Sequence, residues 1–173
     1  AIWAGAILAV AAAVAGVSYG LRGPMERTAR GQPRPAGTPS DVDREIFALL
    51  MVLNENTSHH REAERTKLAK PPAADDAAFQ ESNKMHSING YVFGNEPMIT
   101  MKRGQHVRWY VMSMGTEVDL HTPHWHGNDL VVGGMRMDVV SLLPATMIVA
   151  DVVPDNAGLG LFHGPATAPI PAV

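Results

Sequence analysis

The stretch "VRWYVMSMGTEVDLHTPHWHG", residues 107–127, decides the fold because it joins a strand pattern to a cluster of histidines. In its first half, apolar Val107, Trp109 and Val111 are separated by single, more polar residues. Alternation with a period of two is typical of a strand that buries one face. Turn residues recur about every 8–12 positions through the second half of the chain, as in antiparallel sandwiches and barrels. We therefore predict an all-β domain.

The second half of the stretch contains His121, His124 and His126, three of the eight histidines in a chain without cysteine. In an extended chain, side chains two positions apart point the same way and side chains three apart point opposite ways. His124 and His126 are therefore predicted to share one face, with His121 on the other. A single metal ion bound by all three needs a bulge or turn, which Pro123 permits. The alternative is two metal sites, one on each side of the strand.

The overall composition restricts the classes of function. The chain has 173 residues, room for one ordinary domain plus some extra length. Its net charge of −3 comes with no basic block, so no nucleic-acid footprint is visible. No GxSxG motif is present, and no serine or aspartate is placed against a histidine for nucleophilic hydrolysis. Without cysteine, any metal must be held by imidazole, carboxylate or thioether, and no catalytic residue is predicted beyond such ligands.

The amino-terminal part of the chain has a different composition. Residues 1–21 carry no charge and are long enough to span a bilayer. Their many alanines leave a signal-peptide core or the remnant of a preceding domain as alternatives to a membrane segment. Residues 22–40 are predicted to be a linker rich in proline and glycine. The sequon at Asn56 fits a secreted product, so we expect a secreted or extracellular location, with attachment through residues 1–21 as an open alternative.

The domain itself is predicted to occupy residues 41–163, followed by an irregular tail at 164–173. The apolar run "EIFALLMVL", residues 45–53, has the length of a strand. The charged and proline-rich stretch from His59 to Asp76 is predicted to be a long exposed loop. Each large apolar side chain that is fully buried is expected to contribute about 1.5–3 kcal/mol before entropy is subtracted.

Several segments together resemble one family. In chain order, "NGYVFGN", "VRWYVMSMGTEVDLHTPHWHG", "DVVSLLPAT", "VPDNAG" and "LFH" closely resemble the last cupredoxin domain of multicopper oxidases of the ceruloplasmin and hephaestin ferroxidase type. The resemblance covers about residues 41–163. Upstream, "YGLRGPM" is similar to the end of a preceding cupredoxin domain, a third interpretation of the amino terminus. The resemblance implies a Greek-key β-sandwich of cupredoxin, or plastocyanin-like, type with an apolar amino-terminal extension.

The resemblance also implies copper as the cofactor and a set of ligands. His121 matches the ligand of the mononuclear type 1 copper inside the barrel. His124 and His126 match ligands that face outward to a trinuclear copper cluster at a domain interface, at the type 2 copper and at a type 3 copper. His163 matches the first histidine of the family's HCH motif, which also binds type 3 copper.

The chain departs from the family directly after His163. Gly164 stands where the family has the cysteine of the type 1 site, and no histidine or methionine follows it. Because a blue-copper centre requires a Cys thiolate with two His ligands, a type 1 site is not expected to form. The trinuclear cluster is incomplete as well, so a further cupredoxin domain or chain is expected to supply the missing histidines.

Three functional interpretations follow. The first is a copper-dependent oxidoreductase module, the terminal part of a ferroxidase-type enzyme that oxidises Fe(II) and passes electrons to O2. The second is a catalytically inactive, truncated cupredoxin that binds copper weakly or packs against partner chains. The third is a fragment or imperfectly assigned sequence of a longer, competent enzyme. Carboxylates near the histidines, at Glu117, Asp119 and Asp138, fit an iron-binding role and solvated positions equally well.

The remaining candidate ligands are predicted to have structural roles. Imidazole has many uses besides metal binding, so isolated histidines at 59, 60, 86 and 106 are not expected to be ligands. The chain also has ten methionines, which suggests a copper-binding thioether surface. Methionine more often fills irregular gaps in a core, and that role is predicted for most of them.

Overall fold

The computed structural model describes residues 39–115 and 120–164. Within these residues the strands are β1 (Arg44–Asn54), β2 (Lys84–Ile88), β3 (Val107–Met114), β4 (His124–Trp125), β5 (Leu130–Val132), β6 (Met135–Met137), β7 (Thr146–Val152) and β8 (Phe162–His163). Two short helices, α1 (Arg61–Arg65) and α2 (Ala77–Ser82), and a 3-10 turn at Glu55–Thr57 lie between β1 and β2. Strand is therefore the main regular element of the described residues, as the sequence predicts.

The strands form two sheets. Six strands make the larger sheet in the order β2-β1-β3-β7-β5-β6, and β4 pairs with β8 in a two-stranded sheet. Strand β3 alternates as predicted, with Val107, Trp109 and Val111 buried and the residues between them half-buried. Its inner side chains therefore belong to the core, while Arg108, Tyr110 and their neighbours lie on the outer face of the larger sheet.

One strand pairing differs from the expected antiparallel arrangement. Strands β1 and β3 run parallel, with Ile46 opposite Trp109 and Ala48 opposite Val111. Parallel neighbours require a long crossover connection, which the 55–106 segment provides. Turn spacing does not reveal this pairing, because it depends on which strands meet across that connection.

An aromatic cluster joins the two sheets. Trp109 of β3 contacts Trp125 of β4 edge-to-face, with ring centroids 5.7 Å apart, and Phe162 of β8 at 5.0 Å. Trp125 and Phe162 also contact each other, at 5.1 Å. Aromatic pairs contribute about 0.5–1.5 kcal/mol each beyond the area they bury. The cluster therefore fixes the short β4–β8 sheet, which could not be stable alone, against the inner face of the larger sheet.

The predicted loop from His59 to Asp76 is partly helical. Helix α1 occupies Arg61–Arg65 and has no buried residue. Arg65 pairs with Glu62 one turn earlier, a local interaction that favours a helical turn without contributing to the core. Hydrophobic periodicity does not detect such a helix, so the prediction of an irregular segment is wrong for these residues.

Several predictions concern residues outside the described ranges. These are the apolar segment 1–21, the greater part of the linker 22–40, the tail beyond Gly164, and the carboxylates Glu117 and Asp119. Over residues 39–115 and 120–164, no helix is long and apolar enough to cross a membrane.

Candidate metal centre

Three histidines meet where β4 and β8 lie side by side. His124 opposes His163 in the register of the two strands, one pair along from Trp125 and Phe162. His126 follows β4, and its backbone N–H donates to the carbonyl of Leu161 at 2.9 Å. Since the aromatic residues point into the core, strand alternation turns His124 and His163 the other way.

The three imidazoles converge on a small volume. One ligand nitrogen from each of His124, His126 and His163 lies within 4.8 Å of the others. The Nε2 atoms of His126 and His163 are 3.1 Å apart, and the rings of His124 and His126 have centroids 4.1 Å apart. Imidazole nitrogens bind metal ions at about 2 Å, so this spacing suits shared coordination. The predicted common face of His124 and His126 is thus observed in the geometry.

His121 is separate from this group. It is 4% exposed, and its backbone pairs in both directions with Leu142. Its side chain lines a cavity of about 380 Å³ that Gly164 and Leu50 also line. Among the described residues, the group of converging ligands does not include it. Of the two arrangements left open by the sequence, the structure therefore favours histidines on two sides over one site containing all three.

The surroundings of His163 favour its neutral imidazole form. Burial is the main cause that lowers the pKa of His163 from its ordinary value, and the neighbouring His126 and His124 lower it further. A neutral ring has a lone pair for a metal, whereas a protonated ring does not. Asp138, one of the carboxylates predicted near the histidines, lies 3.3 Å from Nε2 of His124. A carboxylate beside one ring nitrogen orients the imidazole and leaves the other nitrogen for a metal.

A glycine allows the strands to come this close. A Cβ atom added to Gly160 would lie 2.6 Å from the backbone oxygen of His126, so no larger residue fits without moving that backbone. Gly127, directly after His126, has a φ of +78°, a conformation that other residues adopt only with strain. The crowding at Gly160 could not be read from the sequence, because it depends on the distance between two chain segments.

The residues present fit an imidazole-bound copper ion and do not fit a blue-copper centre. Three converging imidazole nitrogens are suitable donors for copper. A blue-copper centre needs a Cys thiolate, and the chain has no cysteine. At Gly164 an added Cβ would lie 2.6 Å from Cδ2 of Leu50, so Leu50 packs where a side chain at this position would begin.

The other histidines lie apart from the group. His59 and His60 are exposed beside α1, and His106 approaches Asp151 at 3.7 Å. His86 lines the same cavity as His121. Among the described residues, none of these joins a group of three or more candidate ligands.

The fold and this site define a cupredoxin domain of the kind found in copper oxidases. Two solved structures have the same fold: a multicopper oxidase with a TM-score of 0.51 at 19% identity, and the blue copper oxidase from Nitrosomonas europaea with 0.52 at 17%. They cover 75% and 78% of this chain, which in turn covers 40% of each. The architecture is therefore a β-sandwich of cupredoxin type, as predicted.

The chain belongs to the multicopper oxidase family, whose profile matches residues 65–165. It is 39% identical over 151 residues to rat hephaestin, 40% over 146 residues to human Ferroxidase HEPHL1, and 39% over 142 residues to human ceruloplasmin. These alignments cover 84%, 82% and 80% of this chain. The chain spans only 13% of the length of each of these relatives. The resemblance and the expected copper cofactor of the family are thus confirmed.

Proposed function

We propose that this chain is the copper-binding, terminal cupredoxin module of a ferroxidase-type multicopper oxidase. In this proposal residues 41–163 are the domain, His124, His126 and His163 contribute ligands to a trinuclear copper cluster, and His121 lies on the type 1 side. Copper would supply one-electron acceptance from the substrate and delivery of electrons to O2. The observation that carries the proposal is the convergence of three imidazole nitrogens within 4.8 Å.

The chain's own residues have defined tasks in this proposal. The β4–β8 pair holds His124 and His163 in register, and Asp138 orients the ring of His124. The lowered pKa of His163 keeps that imidazole neutral and able to bind metal near neutral pH. The aromatic cluster beneath the strands keeps the three rings in place before a metal arrives.

A partner is part of the proposal. Three imidazoles do not complete a cluster of three copper ions, so a further cupredoxin domain or chain supplies the others across the face that His126 exposes. The location we propose is secreted or extracellular, with attachment through residues 1–21 as the alternative. The substrate we propose is Fe(II), because one of the similar proteins is named a ferroxidase.

Gly164 favours a second candidate function. Without a thiolate, the electron path from a type 1 copper to the cluster is missing, and Leu50 packs against Gly164. In this alternative the chain is a catalytically inactive cupredoxin that binds copper or serves as an interaction subunit. It shares the fold and the histidine group with the first candidate and differs from it in turnover.

The experiment is copper loading of the purified full chain, followed by metal analysis, a visible spectrum and an assay of Fe(II) oxidation. We expect bound copper, no intense blue charge-transfer band, and no turnover by the chain alone. A matched His126→Gln variant corrects for copper bound elsewhere. A chain that takes up no copper would contradict the first candidate and the copper-binding form of the second. Fe(II) oxidation that depends on His126 would defeat the inactive alternative.

A further inference from the structure

The outer face of the six-stranded sheet is apolar at its centre. Strand register places side chains of β1, β3 and β7 in rows across this face. Two adjacent rows are apolar, and we call them the outer apolar face: Phe47, Tyr110 and Val149, then Leu49, Met112 and Met147. The next row is charged, with Arg108 between Glu45 and Asp151.

This pattern differs from that of a solvated sheet. An antiparallel sandwich normally covers one face with the core and presents polar residues to water on the other. Here Met147 is 61% exposed and Val149 is 44% exposed. A contiguous apolar patch of this kind marks a surface that another segment or molecule covers.

The outer apolar face and the histidine group lie on opposite sides of the larger sheet. Trp109 points inward from β3 and contacts Trp125 and Phe162, the neighbours of His124 and His163 on the small sheet. Tyr110 points outward from the same strand. A partner that completes the copper cluster therefore does not cover the outer apolar face, which needs an occupant of its own.

The chain approaches this face from its amino-terminal side. Asp41, three residues before β1, accepts a hydrogen bond at 2.9 Å from Nη2 of Arg108, whose side chain is in the charged row. The same guanidinium pairs with Asp151 at 2.7 Å. Charge pairing thus holds the residues that precede β1 at the edge of the outer apolar face.

We infer that residues 1–21 of this chain pack on the outer apolar face. The segment has no charged residue and contains Ile2, Trp3, Ile7, Leu8 and Val10, which match an apolar surface. The intervening residues 22–38 can extend by about 3.3–3.6 Å each. That reach exceeds the width of three strands spaced about 4.8 Å apart. The inference is independent of copper and goes beyond the proposed function.

The test uses the natural absence of cysteine. Met147→Cys in the full chain gives a single thiol on the outer apolar face, which is labelled with a benzophenone maleimide and irradiated. Lys67→Cys, at an exposed position just after α1 in the connection between β1 and β2, is the matched control. Because Arg22 is the first basic residue, trypsin releases residues 1–22 as one peptide for mass spectrometry.

We expect cross-links from position 147 to the 1–22 peptide in a product of monomer mass, at a yield independent of protein concentration. The Lys67→Cys control should give none. Adding Leu8→Asp and Val10→Asp to Met147→Cys should abolish the cross-link while circular dichroism stays unchanged. A product of dimer mass would overturn the inference in favour of a second copy, and labelled protein without cross-links to residues 1–22 would overturn it as well.

Discussion

Gly160 controls how closely the segment before β8 approaches His126. A Cβ at this position would lie 2.6 Å from the backbone oxygen of His126, so Gly160→Ala must displace one of the two segments. We expect a loss of about 1–3 kcal/mol in the free energy of unfolding, typical of overpacking. Weaker copper uptake should accompany it, because one of these segments carries His126 and the other leads into His163. Urea unfolding and copper titration measure the two effects.

The matched control is Gly133→Ala in the turn between β5 and β6. Gly133 has a φ of +56° and no neighbouring atom within 4 Å of an added Cβ. The substitution should lower stability through backbone strain and leave copper uptake unchanged. If Gly160→Ala and Gly133→Ala bound copper equally well, the close approach at Gly160 would have no role in positioning His126.

His163 makes the metal-free chain sensitive to acid. Burial and its neighbours lower the pKa of His163 below its ordinary value of 6.5, so the folded chain binds fewer protons here than the unfolded chain. The corresponding stability is fully present above pH 6.5 and is lost as the pH falls through the lower, folded pKa. Urea unfolding with a chelator should therefore show lower stability at about pH 5 than at about pH 7.5.

Substitution separates this effect from general acid sensitivity. His163→Gln removes the titrating ring and should reduce the loss of stability between the two pH values. His59→Gln, at an exposed position, should leave the loss unchanged. An equal loss in the wild type and in His163→Gln would show that other groups cause the acid sensitivity.

The common face of His124 and His126 could be predicted from their spacing alone, since strand geometry fixes which side chains point together. His163 could not be found this way. It lies 37 positions from His126, and only its resemblance to a family motif pointed to it before the structure paired β8 with β4. The contact between Asp138 and His124 could not be predicted from the sequence either, because it depends on how the chain folds in three dimensions.

At the scale of elements, Trp109 links β3 to the short sheet that carries the histidines. Its ring contacts both Trp125 and Phe162 and is almost fully buried. Trp109→Ala should cost about 3–5 kcal/mol of unfolding free energy through the cavity it leaves. The exposed Arg136→Ala on β6 should change stability by about 0.5 kcal/mol or less. A small loss for Trp109→Ala in urea unfolding would contradict the role assigned to the cluster.

The sequence is informative about elements where local periodicity matches burial. The alternation in β3 predicts its inner face, and the apolar run at 45–53 predicts most of β1. Helix α1 has no buried face, and the parallel pairing of β1 with β3 spans a long connection. Neither feature leaves a local signal in the sequence, so both emerge only from the structure.

At the scale of the whole molecule, the described residues present two surfaces of different chemistry. One exposes imidazoles at the end of the β4–β8 sheet, and the other is the outer apolar face across the larger sheet. The first is suited to a domain that shares copper, and the second to an apolar segment.

The central claim is that His124, His126 and His163 bind copper together. Calorimetric titration of Cu(II) into the full chain tests it most directly, with His124→Gln as the variant and His60→Gln as the matched control. We predict that His124→Gln weakens binding by about tenfold or more, equal to about 1.4 kcal/mol or more, while His60→Gln does not. Equal affinities for wild type and His124→Gln would contradict the claim.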